Sequence, residues 1–152
     1  METNLKQTIF QTFSEVFETM FFTFLEPLEE IPGKAELGEP GAYIEADIAF
    51  EGAKRGGVRF YFPSALARNI TVNFLGVDEV DVNESQVLDT AKETANMAIG
   101  SLLGRIDPAG TIRLGLPQSK AGDMLPVDEL LGHPGLFLFN TEHGLLWVVY
   151  EA

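Results

Sequence analysis

Residues 87–107 read VLDTAKETANMAIGSLLGRID, and the reading of this stretch governs that of the rest of the chain. Leu88, Ala91, Ala95, Ile99, Leu102 and Leu103 recur at three- and four-residue steps, the period of a helix with one face buried. Asn83 with Gln86 three residues on has the form of a capping box at its start, and Asp107-Pro108 marks its end. The same helix carries a second pattern. At about 100° per residue, Asp89 and Glu93 lie about 40° apart around the axis, and Asn96 about 20° from Asp89. All three share one stripe, roughly 10 Å long at 1.5 Å per residue. Asn96 is the odd choice, because asparagine is a mediocre helix former and Glu, Lys or Gln is the usual filling for a wet position. Ala95, Ala98, Gly100 and Ser101 around it are small, which leaves room for a group from another molecule or for close helix packing. By itself the spacing favours a solvated face over a working surface.

Outward from this helix the patterns are regular. Residues 4–25 form another amphipathic helix, with Ile9, Phe10, Phe13, Val16, Phe17, Met20, Phe21 and Phe24 on its apolar side. Pro27 and the loop EEIPGKAELGEPG follow it. AYIEADIAF and GVRFYFP alternate in and out as two strands joined by EGAKRG, a hairpin with Tyr43, Glu45 and Asp47 on its wetter face. Ser64 has the look of an N-cap for a short helix, ALARNITVNFLG, that stops at Gly76. The acidic loop VDEVDVNES then leads into the long helix. Beyond it come a strand at TIRLGLP, a polar loop, a helical turn at VDELL, and a hairpin of GLFLFN and LLWVVYE turning at residues 141–144. A long helix followed by a hairpin thus occurs twice, from residue 4 and from residue 85. Laying Glu18 on Glu93 puts Ser14 on Asp89 and Phe21 on Asn96, as a diverged duplication would. The fold class expected is α/β in the α+β sense: an antiparallel sheet covered by long helices, with a pseudo-two-fold internal repeat of helix plus hairpin.

Bulk properties narrow the function. A chain of 152 residues with 45% apolar content and twelve phenylalanines reads as a single globular domain spanning 1–152. A net charge of −13 argues against a nucleic-acid surface, which needs clustered Lys and Arg. With no cysteine, disulfides, thiol catalysis and thiolate metal sites are excluded. METNLKQTIFQTF lacks the pattern of a secretory signal, and MFFTFLEPL is too short and too acidic at its borders to cross a bilayer. A cytoplasmic protein with no membrane partner is expected, so the sequon at Asn69 carries no meaning for glycosylation. His133 and His143 read as solvated histidines without a metal set around them. Asp78, Asp81 and Glu84 lack the spacing of a calcium loop. Gly52, Gly56 and Gly57 flank a hairpin and form no phosphate loop. Trp147 reads as core.

The helix VLDTAKETANMAIGSLLGRID, the later LGLPQ and the closing GLLWVVYEA together resemble the CheC/CheX family of chemotaxis phosphatases. That family carries Asp or Ser, then Glu, then Asn at this helical spacing, with a proline further on, here Asp89, Glu93, Asn96 and Pro117. The resemblance spans nearly the whole chain, including PSALARN and the hairpins. Members with two sites carry the motif on both long helices, whereas members like CheX keep one. With Phe21 in place of the first amide, this chain resembles the single-site kind, and its first helix is read as structural.

What the resemblance implies is specific. The substrate is the aspartyl phosphate of a CheY-type response regulator. The regulator brings its own Mg²⁺ and lysine, so this chain needs no cofactor or metal of its own. What a reactive acyl phosphate lacks is a water held in line with the bond to be broken. A side-chain amide such as Asn96 can accept a hydrogen bond from that water and donate its NH₂ to phosphoryl oxygens. Glu93 is implied to pair with the regulator's lysine, with Asp89, Gly100 and Pro117 in supporting or docking positions. Asp89 reads equally well as a surface acid favoured by the helix dipole. Members like CheX pair through their sheets, which implies a homodimer. Two other readings stay open: a non-catalytic module of the same fold that docks a receiver domain or a flagellar or signalling protein, and a small-molecule sensor.

Overall fold

The computed structural model describes residues 2–152, with side chains from residue 4 onward. In chain order the elements are α1 (Glu2–Phe21), β1 (Glu26–Leu28), a 3-10 turn (Lys34–Glu36), β2 (Tyr43–Gly52), β3 (Gly56–Pro63) and α2 (Ser64–Leu75). They are followed by a second 3-10 turn (Glu79–Asp81), α3 (Glu84–Ile106), β4 (Ile112–Leu114), β5 (Gln118–Gly122), α4 (Val127–Leu131), β6 (Leu136–Thr141) and β7 (Gly144–Glu151). The seven strands form one antiparallel sheet ordered β1-β6-β7-β3-β2, and both β4 and β5 lie along the free edge of β2. Exchanging β1 with β4–β5, β2 with β6, and β3 with β7 reproduces this order read from the other edge. The axis of that pseudo-symmetry passes between β3 and β7, as two helix-plus-hairpin units sharing one sheet require.

Alternation along the strands sorts side chains to two faces. On one face, Ile48, Phe60, Phe62, Phe139 and Val148 meet the apolar stripes of α1, α2 and α3 in the main core. Phenylalanines dominate it: Phe13 packs on Phe60 with centroids 5.4 Å apart, and Phe10 meets Phe139 edge-on at 5.5 Å. On the other face a smaller cluster of Tyr61, Leu130, Leu138, Trp147 and Val149 gathers with α4. Trp147 is therefore core, as read from the sequence. The wetter part of this face carries Arg59, which donates to the Tyr61 hydroxyl (2.9 Å) and to Glu151 (3.1 Å).

Several local features depart from the sequence reading. Helix α1 ends at Phe21, four residues early, because Phe22 takes a left-handed φ of 51°. The freed carbonyls find other donors: Thr23 N–H reaches Phe17 O (3.0 Å), and Asn73 of α2 reaches Phe21 O (2.8 Å). Phe24, expected in the apolar stripe, lies beyond the helix end and is exposed, and Met20 is exposed within the helix. Pro27, read as a helix breaker ahead of the loop, lies in a short strand, β1, where it is tolerated because the strand is at a sheet edge. Ser64 is the first helical residue of α2 and makes no cap hydrogen bond; Pro63 precedes it. The expected strand 111–117 stops at Leu114, and the expected polar loop contains β5.

Candidate functional site

Helix α3 begins as its sequence dictates. Asn83 Oδ1 accepts from Gln86 N–H (2.9 Å) and Gln86 Oε1 accepts from Asn83 N–H (3.0 Å), completing the capping box. Val87, Thr90, Ala91, Thr94, Ala95, Ala98, Ile99, Leu102 and Leu103 form its buried face. The three alanines are fully buried, so the helix backbone can lie close on the structure beneath it. Of the two readings open for the small residues, Ala95 and Ala98 follow the packing one, whereas Gly100 and Ser101 are exposed.

The opposite side carries the stripe. Asp89 and Glu93 are exposed and Asn96 is half-buried, one helical turn below Gly100. The carboxylate of Asp89 lies 3.4 Å from the Lys92 ammonium on the next turn. Among the described residues no hydrogen bond or ion pair engages the Glu93 or Asn96 side chains, so an acid and an amide stand side by side with their polar groups uncommitted. A Cβ placed on Gly100 would meet only Leu114 Cδ1, at 4.0 Å.

The edge strand runs along α3. Leu114 abuts Gly100, and Ser119 Oγ donates to Leu88 O (2.8 Å). The chain between them, which includes the half-buried Pro117, therefore runs beside the middle of α3 in the opposite direction. Pro117 lies on this segment, between the two contacts with α3. Sequence reasoning missed Ser119, the residue that clamps β5 to α3. QSKAG has no hydrophobic alternation that could have marked it as a strand.

The counterpart stripe on α1 has a different character. Glu18 is exposed, but Ser14 is half-buried with its hydroxyl unpartnered, and Phe21 is fully buried between Phe17 (5.6 Å) and Phe74 (5.3 Å). The other sequence candidates carry no site. Among the described residues there is no group of three or more His, Asp or Glu able to hold a metal. His133 is more than a solvated histidine, since its Nδ1 accepts from Gly135 N–H (3.0 Å) and its Nε2 lies 3.6 Å from Glu151. Two clefts, one at Lys34–Glu39 and one between Phe22 and His143, lie away from the α3 stripe. No helix among the described residues is long and apolar enough to cross a membrane.

A pseudo-symmetric antiparallel sheet with long helices packed on one face defines an α+β class of protein. Residues 44–139, more than half of the chain and including α3, match the family model described as "Chemotaxis phosphatase CheX". The chain belongs to the CheX family. No curated protein matches it. Among solved structures, the chemotaxis protein CheX from Vibrio vulnificus is similar with a TM-score of 0.74 at 20% identity, over 95% of this chain and 93% of that one. CheX from Desulfovibrio desulfuricans gives 0.71 at 17% identity, over 97% of each chain. A third is CheX in the CheX–CheY–BeF3–Mg²⁺ complex from Borrelia burgdorferi, at 0.65 and 14% identity over 95% of both chains. At these identities the structural likeness speaks for the fold.

Proposed function

We propose that this chain hydrolyses the aspartyl phosphate of a CheY-type receiver domain, with Asn96 holding the attacking water. The observation that carries the reading is the uncommitted pair on α3: an exposed carboxylate at Glu93 and a half-buried amide at Asn96, one turn apart on a rigid, capped helix. Membership of a family described as chemotaxis phosphatases supports the reaction, and the crystallised complex of a relative with CheY supports the partner.

The chemistry asks little of this chain. An acyl phosphate is already activated, and the receiver supplies Mg²⁺ and a lysine about the phosphoryl group. Asn96 is neutral and cannot remove a proton, so its contribution is positional: the amide oxygen accepts from the water and the NH₂ donates to phosphoryl oxygen. Fixing a water in line can supply several kcal/mol of barrier reduction. Glu93 meets the receiver's lysine, an ion pair that sets orientation and encounter rate more than affinity. Asp89, partnered by Lys92, adds negative potential beside it. Gly100 and Pro117 leave the approach to the stripe open. Two copies pair through their sheets, and the chain works as one domain in the cytoplasm.

The test follows loss of label from a phosphorylated receiver alone, with this chain, and with Glu93→Ala. Acceleration by the wild type, with weaker receiver binding by Glu93→Ala, is the expected result. Receiver binding without acceleration would replace the phosphatase by a docking module. Unchanged binding and rate in Glu93→Ala would remove its ion-pair role.

A further inference from the structure

The register of the edge strand contains a discontinuity where that strand runs along α3. Phe50 of β2 pairs with Leu114, and Asp47 pairs with Gln118. Two residues of β2, Ile48 and Ala49, therefore face three on the edge, Gly115, Leu116 and Pro117. One extra residue has been inserted there, which is a β-bulge. The insertion reverses the in–out alternation. Leu114 before it and Ser119 after it both meet α3, although five positions apart they would point to opposite faces of a regular strand. Pro117 has no N–H to contribute to the ladder, so the discontinuity is written into the sequence.

Leu116 sits at the middle of this bulge and is 87% exposed. It is not carried on a loose loop. Both flanking strand segments are paired to β2, Gly115 N–H donates to Ala49 O (2.7 Å), and Ser119 is fastened to α3. A single exposed leucine is unremarkable on most surfaces. Here it is held by paired backbone, on a bulge that breaks an otherwise regular edge, between two residues that both touch the helix bearing Glu93 and Asn96. Bulges are over-represented at sheet edges and next to active sites, where they re-aim a side chain.

We propose that Leu116 is the apolar docking contact for the receiver domain, burying itself against an apolar residue on the rim of the receiver's phosphorylation pocket while Glu93 meets the lysine. The assignment rests on the receiver being the partner. The acid gives charge complementarity to the lysine, and the leucine gives the dry contact that an ion pair on a wet surface lacks. Leu116 positions the receiver for Asn96 and touches no reacting atom.

The experiment measures two quantities for wild type, Leu116→Ala and Leu116→Met: affinity for a BeF3- and Mg²⁺-loaded CheY-type receiver, and the rate of phosphate loss from the phosphorylated receiver against concentration of this chain. Leu116→Ala is expected to weaken binding and raise the half-saturating concentration by about tenfold, the loss of a partly buried leucine contact. Its rate at saturation and its thermal midpoint should match wild type, and Leu116→Met should recover most of the affinity. Wild-type affinity and half-saturation in Leu116→Ala, with the wild type accelerating, would overturn the leucine contact and leave the phosphatase reading standing. Should the wild type bind the loaded receiver without accelerating, the phosphatase reading falls, and the affinity ratio alone decides for or against Leu116. A wild type that neither binds nor accelerates removes both.

Discussion

Helices α1 and α3 occupy equivalent places in a pseudo-symmetric sheet, yet they are finished in different ways. On α3 the stripe of Asp89, Glu93, Asn96 and Gly100 faces solvent, and the helix is capped at its start by Asn83 and Gln86 from its own sequence. On α1 the corresponding position is Phe21, fully buried, and the last carbonyl is satisfied by Asn73 from α2. One helix has kept an outward polar surface on a self-sufficient scaffold. The other has given its end to the core and depends on a neighbour to close it. A duplicated unit can therefore carry an interaction surface in one copy while the other copy supplies packing.

The strongest challenge to this contrast is Phe21→Asn, which writes the amide of α3 into α1. With the ring packed against Phe17 and Phe74, the change should cost about 3–5 kcal/mol through the cavity and the unpaired amide. Chemical denaturation measures it, and a variant as stable as wild type would mean that α1 is not committed to the core. Arg105→Ala probes the joint between the helices. Arg105 on α3 bonds the fully buried Thr12 hydroxyl (3.0 Å) and the Glu15 carboxylate on α1. Its removal should cost roughly 1–2 kcal/mol, mostly from the hydroxyl left without a partner. Asn83→Ala removes the cap of α3 and should cost about 1 kcal/mol, read by thermal unfolding; no change would deny α3 its self-sufficient start.

The smallest effect concerns the end of α3. Asp107 accepts from Thr111 Oγ1 (2.6 Å) and from Ile112 N–H (2.7 Å), and these bonds, the hydroxyl first, hold its carboxyl below the usual range. A lowered folded-state pKa contributes stability that is present above the ordinary aspartate value and lost as pH falls through the lowered one. The stability gap between wild type and Asp107→Asn should therefore be present at neutral pH and close on acidification. A gap that persisted at acid pH would assign the effect to packing.

Much of this architecture was legible because its signals are local. The 3.6-residue period of both long helices, the alternation of four hairpin strands and the Asn83–Gln86 box all appear where the residues place them. What escaped was decided by tertiary partners. The end of α1 depends on Asn73, fifty-two residues away, and on Phe22 accepting a left-handed backbone. β1 is three residues long and contains proline, and β5 is polar, so neither shows an apolar pattern; each exists because a neighbouring strand offers its edge. The stripe on α3 was readable from helical geometry alone. The edge strand along α3 was not, because Ser119 and the bulge at Leu116 are defined by the register against β2.

The central claim is that Asn96 holds the water that attacks the acyl phosphate. The most direct measurement is single-turnover loss of phosphate from a labelled receiver at saturating concentrations of wild type and Asn96→Ala. The expected outcome is a rate lower by about two orders of magnitude in the variant, equivalent to nearly 3 kcal/mol of lost positioning, with receiver binding and folding stability retained. A saturated Asn96→Ala that removes phosphate as fast as the wild type would contradict the account.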